Sequence, residues 1–167
     1  EEWVKAPEHF MLMNNGRSFK IEVDPTKLNP GIHTAKVCGS RNDGDDGVLF
    51  HVPITIIKTL EKSSKIDLGL LGFAPAEAKR YFLDVPSGAT WMDVEVVDGR
   101  EDNDNSTRLM VLHTLQLIPN AAYRDHEVQK YYYMRKNETK IESIRVQPGI
   151  TCEVTLARYW SSVGTTQ

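Results

Sequence analysis

The sequence predicts an all-β protein built as a sandwich or jelly roll. Three observations favour this class: apolar residues alternate with a period of two in many short runs, turn residues interrupt these runs at short intervals, and no long stretch has the period of a helix. The clearest case is the stretch from Tyr81 to Val97. It predicts two strands joined as a hairpin through a type I turn at Val85-Pro86-Ser87-Gly88.

Composition bounds the size of the protein and excludes several partner classes. A chain of 167 residues holds one large domain or two small ones. Its 20 lysines and arginines against 23 aspartates and glutamates give a net charge of -3. The composition therefore lacks the excess of positive charge that is typical of nucleic-acid-binding domains. No apolar run is long enough to cross a bilayer, and no secretion signal opens the chain. We therefore expect neither nucleic acid nor a membrane as a partner.

Residues 1–59 are expected to form an incomplete β segment. Four strands are predicted, at residues 9–13, 19–23, 32–38 and 48–58. Turns are predicted at Asn14-Asn15-Gly16 and Leu28-Asn29-Pro30-Gly31, and Pro53 indicates an edge strand or a bulge. An Ig-like sandwich needs about seven strands, so we expect a truncated module. Glu1 in the place of methionine fits a processed or excised piece.

A polar, serine-containing stretch at residues 60–65 is the expected linker to a second module at residues 66–167. Seven strands are predicted in that module, at residues 66–73, 81–85, 92–96, 108–118, 128–134, 141–146 and 150–160. Residues 98–106 contain no apolar side chain and are expected to form a mobile loop. A short helical turn capped by Asn120 is expected before Glu127.

Serine, histidine and aspartate are abundant, but their spacing does not predict a catalytic triad. Asp125 and His126 are adjacent, so their side chains point in different directions. Gly164-Thr165-Thr166 resembles the Gly-Thr-Ser of some serine peptidases but has threonine at the nucleophile position, and no Gly-x-Ser-x-Gly elbow occurs. We therefore expect no catalytic residue. An independent hydrolase remains an alternative, and it requires Ser161 or Ser162 to be nucleophilic.

Neither a metal site nor a cofactor site is predicted. Residues 42–47 are acidic and glycine-rich like a calcium loop, but an EF-hand needs a glutamate at its twelfth position, where this chain has Ile54 or Ile56. Four histidines fall in predicted strands, His9, His33, His51 and His113. None has zinc-ligand spacing, so we expect each to be satisfied by a neighbouring group. No glycine-rich phosphate loop occurs.

The aromatic residues permit two interpretations. Trp91 and Trp160 are expected in the core, because small sandwiches bury large aromatic side chains. In Tyr131-Tyr132-Tyr133 the first and third side chains face one way and the second faces the other, so at least one side is expected to pack inside. The alternative is a carbohydrate-binding jelly roll with an aromatic platform on its surface.

Two further features are expected to be incidental. Cys38 and Cys152 lie far apart in strand contexts, which favours two separate thiols over a long-range disulfide. The glycosylation triplets that begin at Asn105 and Asn137 arise easily by chance in polar loops.

Stretches along nearly the whole chain resemble, in order, the tripeptidyl peptidase II family of giant subtilisin-like exopeptidases, in the region C-terminal to the catalytic domain. They are Ala6-Pro7-Glu8-His9 with Leu12-Met13-Asn14, Ile21-Glu22-Val23-Asp24-Pro25, Val37-Cys38-Gly39, Leu49-Phe50-His51-Val52-Pro53-Ile54-Thr55, Val85-Pro86-Ser87-Gly88-Ala89-Thr90-Trp91, Tyr123-Arg124-Asp125-His126-Glu127 and Ala157-Arg158-Tyr159-Trp160-Ser161-Ser162.

The resemblance implies an Ig-like or fibronectin-like segment followed by a galactose-binding-like β-sandwich. It also implies a cytoplasmic parent enzyme that removes tripeptides from free N-termini of oligopeptides. The partners would be other domains of the same chain and neighbouring protomers of a large homo-oligomer. The family's catalytic Asp, His and Ser match no position here, so this segment is expected to be a non-catalytic spacer without a cofactor. The family's sandwich continues beyond Trp160, so a last strand is expected to be missing.

Overall fold

The computed structural model describes residues 2–11, 13–41, 47–101, 104 and 106–161. The chain divides into two compact units, Glu1–Lys58 and Thr59–Gln167. Across the described ranges, no helix has the length and apolar character needed to cross a bilayer. Several predicted features lie outside the described residues, namely the acidic part of the calcium-like loop at 42–46, Asn105 and the residues from Ser162 onward.

The first unit has two pairs of antiparallel strands. The short strands β1 (Val4–Lys5) and β2 (Glu22–Val23) pair with each other, and β3 (Gly31–Ser40) pairs with β4 (Val48–Lys58). The long strand predicted at residues 48–58 is confirmed. Pro53 lies in this strand opposite Lys36, in a two-stranded sheet where every strand is an edge.

Two predicted strands of this unit are wrong. The described residues of the first stretch, 9–11 and 13, form no strand, and only the end of 19–23 does. One phenylalanine from each stretch, Phe10 and Phe19, instead forms an aromatic trio with Phe50, with ring centroids 5.0 to 6.2 Å apart. Burial by ring packing therefore replaces burial by strand pairing in this part of the chain.

One of the two predicted turns of this unit is confirmed and the other is displaced. The Gly16 amide donates to the Met13 carbonyl at 3.0 Å, which closes the predicted turn through Asn14 and Asn15. In the second case the Leu28 amide donates to the Pro25 carbonyl at 3.1 Å, three residues before the predicted start. Gly31 is already the first residue of β3.

The second unit is a sandwich of a four-stranded and a two-stranded sheet. Its strands are β5 (Ala78–Asp84), β6 (Trp91–Val97), β7 (Arg108–Gln116), β8 (Glu127–Met134), β9 (Thr139–Arg145) and β10 (Thr151–Arg158). The larger sheet has the order β5-β10-β7-β8, and the smaller sheet pairs β6 with β9. These strands confirm the predicted all-β class. The strand predicted at 66–73 is wrong apart from a single bridge at Phe73.

The predicted hairpin is also wrong, because β5 and β6 belong to different sheets. β5 pairs with β10, and β6 pairs with β9. The connection turns one residue later than predicted, with the Ala89 amide donating to the Pro86 carbonyl at 3.1 Å. Gly88 has a φ of 88°, which suits the third position of a type II turn. The turn therefore carries the chain from one sheet across to the other.

The core lies between the two sheets and is centred on β7. Alternate residues of this strand are buried from Arg108 to Gln116. Two clusters of buried residues follow, one formed by Val85, Leu112, Ile144, Val146, Cys152 and Val154 and the other by Phe73, Met110 and Met134. Tyr132 packs against both clusters, which confirms that one side of the triple tyrosine points inside.

Two connections differ from their predictions. The 3₁₀ turn Tyr123–His126 is capped by Ala122, without a side-chain hydrogen bond, and Asn120 instead has a φ of 62°. The loop predicted at 98–106 begins with two buried residues, Asp98 and Arg100, which are 4% and 2% exposed. The side chains at the start of this loop are therefore held in the protein interior.

Candidate interaction surface

The four-stranded sheet has a second face, directed away from the core, which we call the outer face. The buried side chains of β7 are the even-numbered ones, so its odd-numbered side chains point to the outer face. The strand register places Tyr131 opposite Val111 and Tyr133 opposite Leu109, so both tyrosines share that face.

An aromatic cluster lies at one end of the outer face. The rings of Tyr131, Tyr159 and Trp160 follow one another in contact, and Tyr133 lies two residues along β8 from Tyr131 on the same face. The Tyr131 and Tyr159 rings meet edge to face with centroids 6.4 Å apart, and the Tyr159 and Trp160 rings are 5.9 Å apart. Trp160 is 69% exposed and Tyr133 is 68% exposed. The cluster is therefore a pre-arranged group of rings that presents most of its area to solvent.

A cavity of 440 Å³ opens beside the cluster. Its lining residues are Asp104, Ser106, Thr107, Arg108, Leu109, Tyr133 and Ser161. The Arg108 side chain is buried, and its guanidinium donates to the Asp104 carboxylate. The pKa of Asp104 is lowered, first by the Ser106 amide that donates to it and further by the positive charge of Arg108. The wall of the cavity is thus polar and charge-compensated.

A row of charged side chains crosses the outer face from β5 to β8. Arg80 donates to both carboxylate oxygens of Glu153, at 2.8 and 2.9 Å. This bidentate contact is the first cause of the lowered pKa of Glu153. On the next two strands, the Nε2 of His113 lies 2.7 Å from Oε1 of Glu127. Because these pairs hold their side chains in place, the outer face is an ordered polar surface beside the aromatic cluster.

A cluster of buried charges lies where the loop after β6 meets the start of β7 and the end of β10. The Nε of Arg100 is 3.4 Å from the carboxylate of Asp98, and both side chains are 2% exposed. Arg158 donates to the Phe73 carbonyl at 3.2 Å. The pKa of Arg158 is lowered by burial and by the charges of Arg108 and Arg100. This cluster anchors the loop and the residue Phe73 to the sandwich.

The structure does not bring the sequence-predicted hydrolytic residues together. Asp125 and His126 are consecutive in the 3₁₀ turn, and Ser161 lines a cavity that contains no histidine among its lining residues. The His113 and Glu127 pair has the form of a base with its orienting acid. A triad would also need a hydroxyl that donates to His113. The hydroxyl on the neighbouring strand, that of Thr155, donates instead to Glu153 at 3.2 Å.

No metal centre is evident within the ranges that the structure describes, because no group of three histidine, cysteine or carboxylate side chains converges there. The expectation of satisfied histidines is confirmed for His113 and for His33, whose Nε2 lies 2.8 Å from the Asn29 carbonyl oxygen. His9 lies outside any strand, contrary to the prediction. Both cysteines are free, which confirms the expectation of two separate thiols.

The prediction that Trp91 and Trp160 are core residues is wrong, since they are 62% and 69% exposed. A signal for Trp91 was present in the sequence. It shares the parity of Asp93 and Glu95 on β6, so it points to the solvent face of a strand whose even residues are apolar. The general preference of large aromatic residues for the core favoured burial of Trp91, but its position on the solvent side of the strand decides its exposure.

Two family models match the chain. The model described as "Tripeptidyl-peptidase II, first Ig-like domain" matches residues 1–57, and the model "TPPII, galactose-binding domain-like" matches residues 73–164. Together they confirm the predicted order of an Ig-like segment and a galactose-binding-like sandwich.

Similar full-length proteins carry the same name. Tripeptidyl-peptidase 2 of Oryza sativa subsp. japonica is 32% identical over 163 residues, which are 95% of this chain and 12% of that protein. Tripeptidyl-peptidase 2 of Drosophila melanogaster is 27% identical over 176 residues, 98% of this chain and 12% of that protein. A solved structure titled "Crystal Structure of Tripeptidyl Peptidase 2 (TPP II)" aligns with a TM-score of 0.84 and 28% identity over 98% of this chain and 14% of that chain.

Proposed function

The chain belongs to the tripeptidyl-peptidase II family, and from this premise we propose that it is a non-catalytic structural and assembly segment of such an enzyme. The parent is a cytoplasmic subtilisin-like serine exopeptidase that releases tripeptides from free N-termini of oligopeptides, with this segment C-terminal to its catalytic domain. Its partners are other domains of the same polypeptide and neighbouring protomers of a large homo-oligomer. The chain spans 12% of its curated relative from Oryza sativa, which leaves room for a catalytic domain elsewhere.

The aromatic cluster is the observation that carries the assembly role. Tyrosine and tryptophan are enriched where proteins bind each other, because they bury much area at little cost in conformational entropy. Tyr133 and Trp160 expose about two thirds of their surface, at 68% and 69%. The ion pair of Arg80 with Glu153 and the hydrogen bond of His113 with Glu127 hold the surrounding sheet surface in one arrangement, so a partner would meet an ordered surface.

The chemistry of the described residues supports the non-catalytic half of the proposal. The His113 and Glu127 pair lies on the outer face, and the nearby Thr155 hydroxyl donates its hydrogen bond to Glu153. The burial of the Cys152 thiol and the charge of Glu153 raise its pKa to about 11, which keeps it a protonated, poor nucleophile.

The test uses the full-length peptidase that carries this segment. Tyr133→Ala with Trp160→Ala removes the two most exposed rings of the aromatic cluster, and the matched control Tyr123→Ala removes an exposed ring from the 3₁₀ turn. We expect the double variant to sediment as smaller species, while turnover of a tripeptide reporter per titrated active site persists in those species. An unchanged sedimentation profile, or a loss of size in the control as well, would contradict the assembly role.

Exposed Trp91 favours carbohydrate binding as a second candidate function. Its ring stands on the solvent face of β6 opposite Arg145, a combination that suits stacking against a sugar ring. Titration with galactose should then quench tryptophan fluorescence saturably, and Trp91→Ala should abolish the quenching while Trp160→Ala retains it. Quenching that does not saturate would exclude this function.

A further inference from the structure

A thiol and an imidazole lie side by side on the exposed face of the β3 and β4 pair. Cys38 of β3 is directly opposite His51 of β4 in the strand register, and both residues are exposed. Directly opposed residues of an antiparallel pair share one face of the sheet, with Cβ atoms about 4.5–5.5 Å apart. Rotation of the two exposed side chains about χ1 therefore brings the thiol within hydrogen-bond reach of the imidazole.

The ring of His51 is free to accept the thiol proton. Among the described residues, hydrogen bonds engage the rings of His33 and His113 but not that of His51. Imidazole is the side chain that most often acts as a base near neutral pH, and a thiolate is stabilised beside a protonated imidazole. Cys38 and His51 thus have the chemistry of a nucleophile and its base.

The charges carried by the two strands also favour a thiolate. Lys36 precedes Cys38 by two residues, so its side chain lies on the same exposed face. Neither β3 nor β4 contains an aspartate or a glutamate, and the acidic connection between them, at 42–46, lies outside the described residues. A positive charge near a thiol stabilises its thiolate, which is the form that attacks a disulfide. Lys36 therefore supports the role of His51.

A β-bulge directly follows Cys38 and adds apolar surface beside the pair. The register shifts between Gly39 and Ser40, so Leu49 has no residue opposite it. Leu49 is 53% exposed and shares its parity with His51, which puts both side chains on the exposed face. Bulges recur next to active sites, where they re-aim side chains. Here the bulge places an apolar side chain where the carbon chain of a small reagent can rest.

We propose that Cys38 and His51 form a modification site at which Cys38 undergoes exchange with a small disulfide. His51 accepts the proton of the Cys38 thiol, and the thiolate attacks one sulfur of the disulfide. A new S–S bond to Cys38 forms as the S–S bond of the reagent breaks, and the departing thiolate takes the proton from His51. The products are a mixed disulfide on Cys38 and one small thiol, so the step needs no other oxidant or reductant.

The exchange is reversible, because an excess of the small thiol attacks the mixed disulfide and regenerates the thiol of Cys38. The site therefore links the group carried on the exposed face of the first unit to the ratio of small disulfide to small thiol in the surrounding solution. This inference goes beyond the proposed function, since neither assembly nor peptide release enters it.

Reaction of the full-length protein with oxidised glutathione tests the site. Acid quenching, blocking of the remaining thiols and mass spectrometry of the peptide that contains Cys38 quantify the mixed disulfide. At pH 7 we expect His51→Gln to slow its formation by about three- to tenfold, because an unassisted thiol is only slightly ionised there and an assisted thiolate is somewhat less nucleophilic. His33→Gln is the matched control on the other face of β3 and should react at the wild-type rate.

The pH dependence separates assistance by His51 from a structural effect. At about pH 10 a free thiol is ionised without a base, so the rates of the wild type and of His51→Gln should converge. Equal slowing of the variant at both pH values, or equal slowing by His33→Gln, would mean a structural effect and would overturn the proposal. Equal rates of the wild type and His51→Gln at pH 7, or no mixed disulfide on Cys38 in the wild type, would also overturn it.

Discussion

Tyr132 donates a 2.8 Å hydrogen bond to Glu142 and thereby links the four-stranded sheet to the two-stranded sheet. Tyr132 belongs to β8, an edge strand of the larger sheet, and Glu142 to β9, so the bond bridges the two sheets at one side of the sandwich. Burial is the first cause that raises the pKa of Tyr132, and together with the hydrogen bond to Glu142 it raises this pKa to about 12. The bond is also the first cause of the lowered pKa of Glu142.

The pKa of Tyr132 predicts a loss of stability in strong base. Its folded pKa of about 12 exceeds the usual 10.0, so its contribution is complete below about pH 10 and is lost as pH rises toward 12. Tyr132→Phe should lower the free energy of unfolding at neutral pH by about 1.5–3 kcal/mol and weaken this alkaline dependence. Urea unfolding from neutral to alkaline pH measures both, with Tyr131→Phe as the exposed control. A Tyr132→Phe profile parallel to that of the wild type would refute the prediction.

Because the Asp98 and Arg100 pair is buried, a substitution that removes only its negative charge should lower the stability of the fold strongly. Asp98→Asn leaves a guanidinium buried beside two others without its carboxylate, and the unfolding free energy should fall by about 3–5 kcal/mol. Chemical denaturation measures the change. Exposed Glu101→Gln is the nearby control and should leave the unfolding midpoint in place. Equal stability of Asp98→Asn and the wild type would mean that the pair does not hold the loop.

Gly39 lies where the first unit has no room for a larger side chain. A Cβ at this position would lie 2.3 Å from the Phe50 ring, which belongs to the aromatic trio with Phe10 and Phe19. Gly39→Ala should therefore lower the unfolding free energy by about 1–3 kcal/mol. Gly72→Ala, where a Cβ meets no atom within 4 Å, is the matched control. Thermal unfolding compares the two, and a neutral Gly39→Ala would show that the ring moves aside freely.

The two thiols should differ sharply in reactivity. Cys38 is exposed, whereas Cys152 is 1% exposed and burial, with the charge of Glu153, raises its pKa to about 11. In native protein at neutral pH we expect one thiol to react rapidly with a disulfide reagent and the second only after denaturation. Cys38→Ser should abolish the rapid phase. Rapid modification of Cys152 in that variant would contradict its burial.

Strand positions were more predictable than strand partners. The apolar runs at β4 and β7 predicted both strands closely, because short runs rich in apolar residues and bounded by turn residues are typical of strands. The alternation on β5 and β6 predicted those strands as well, but it does not encode which strand lies beside each of them. The proline and glycine between them predicted a turn, but a turn between paired strands and one between sheets use the same residues.

The candidate surface was only partly predictable. The parity of Tyr131 and Tyr133 put them on one face, and the structure places both on the outer face. The contact of Tyr131 with Tyr159 depends on the end of β10 lying near β8 across β7, which is a tertiary arrangement. Asp98 and Arg100 were assigned to a solvated loop by composition, because pairing of buried charges leaves no periodic signal in the sequence.

The pairing of β5 with β10 has a consequence for biosynthesis. β5 and β10, the first and last strands among the described residues of the second unit, are neighbours, so translation must reach residue 158 before these four strands can form their sheet. Until then the nascent chain holds apolar strands whose partners do not yet exist, a state that favours aggregation and recruits chaperones. A ribosome that stalls within β9 would thus release a fragment without its central pairing strand, and we expect proteolysis to remove it quickly.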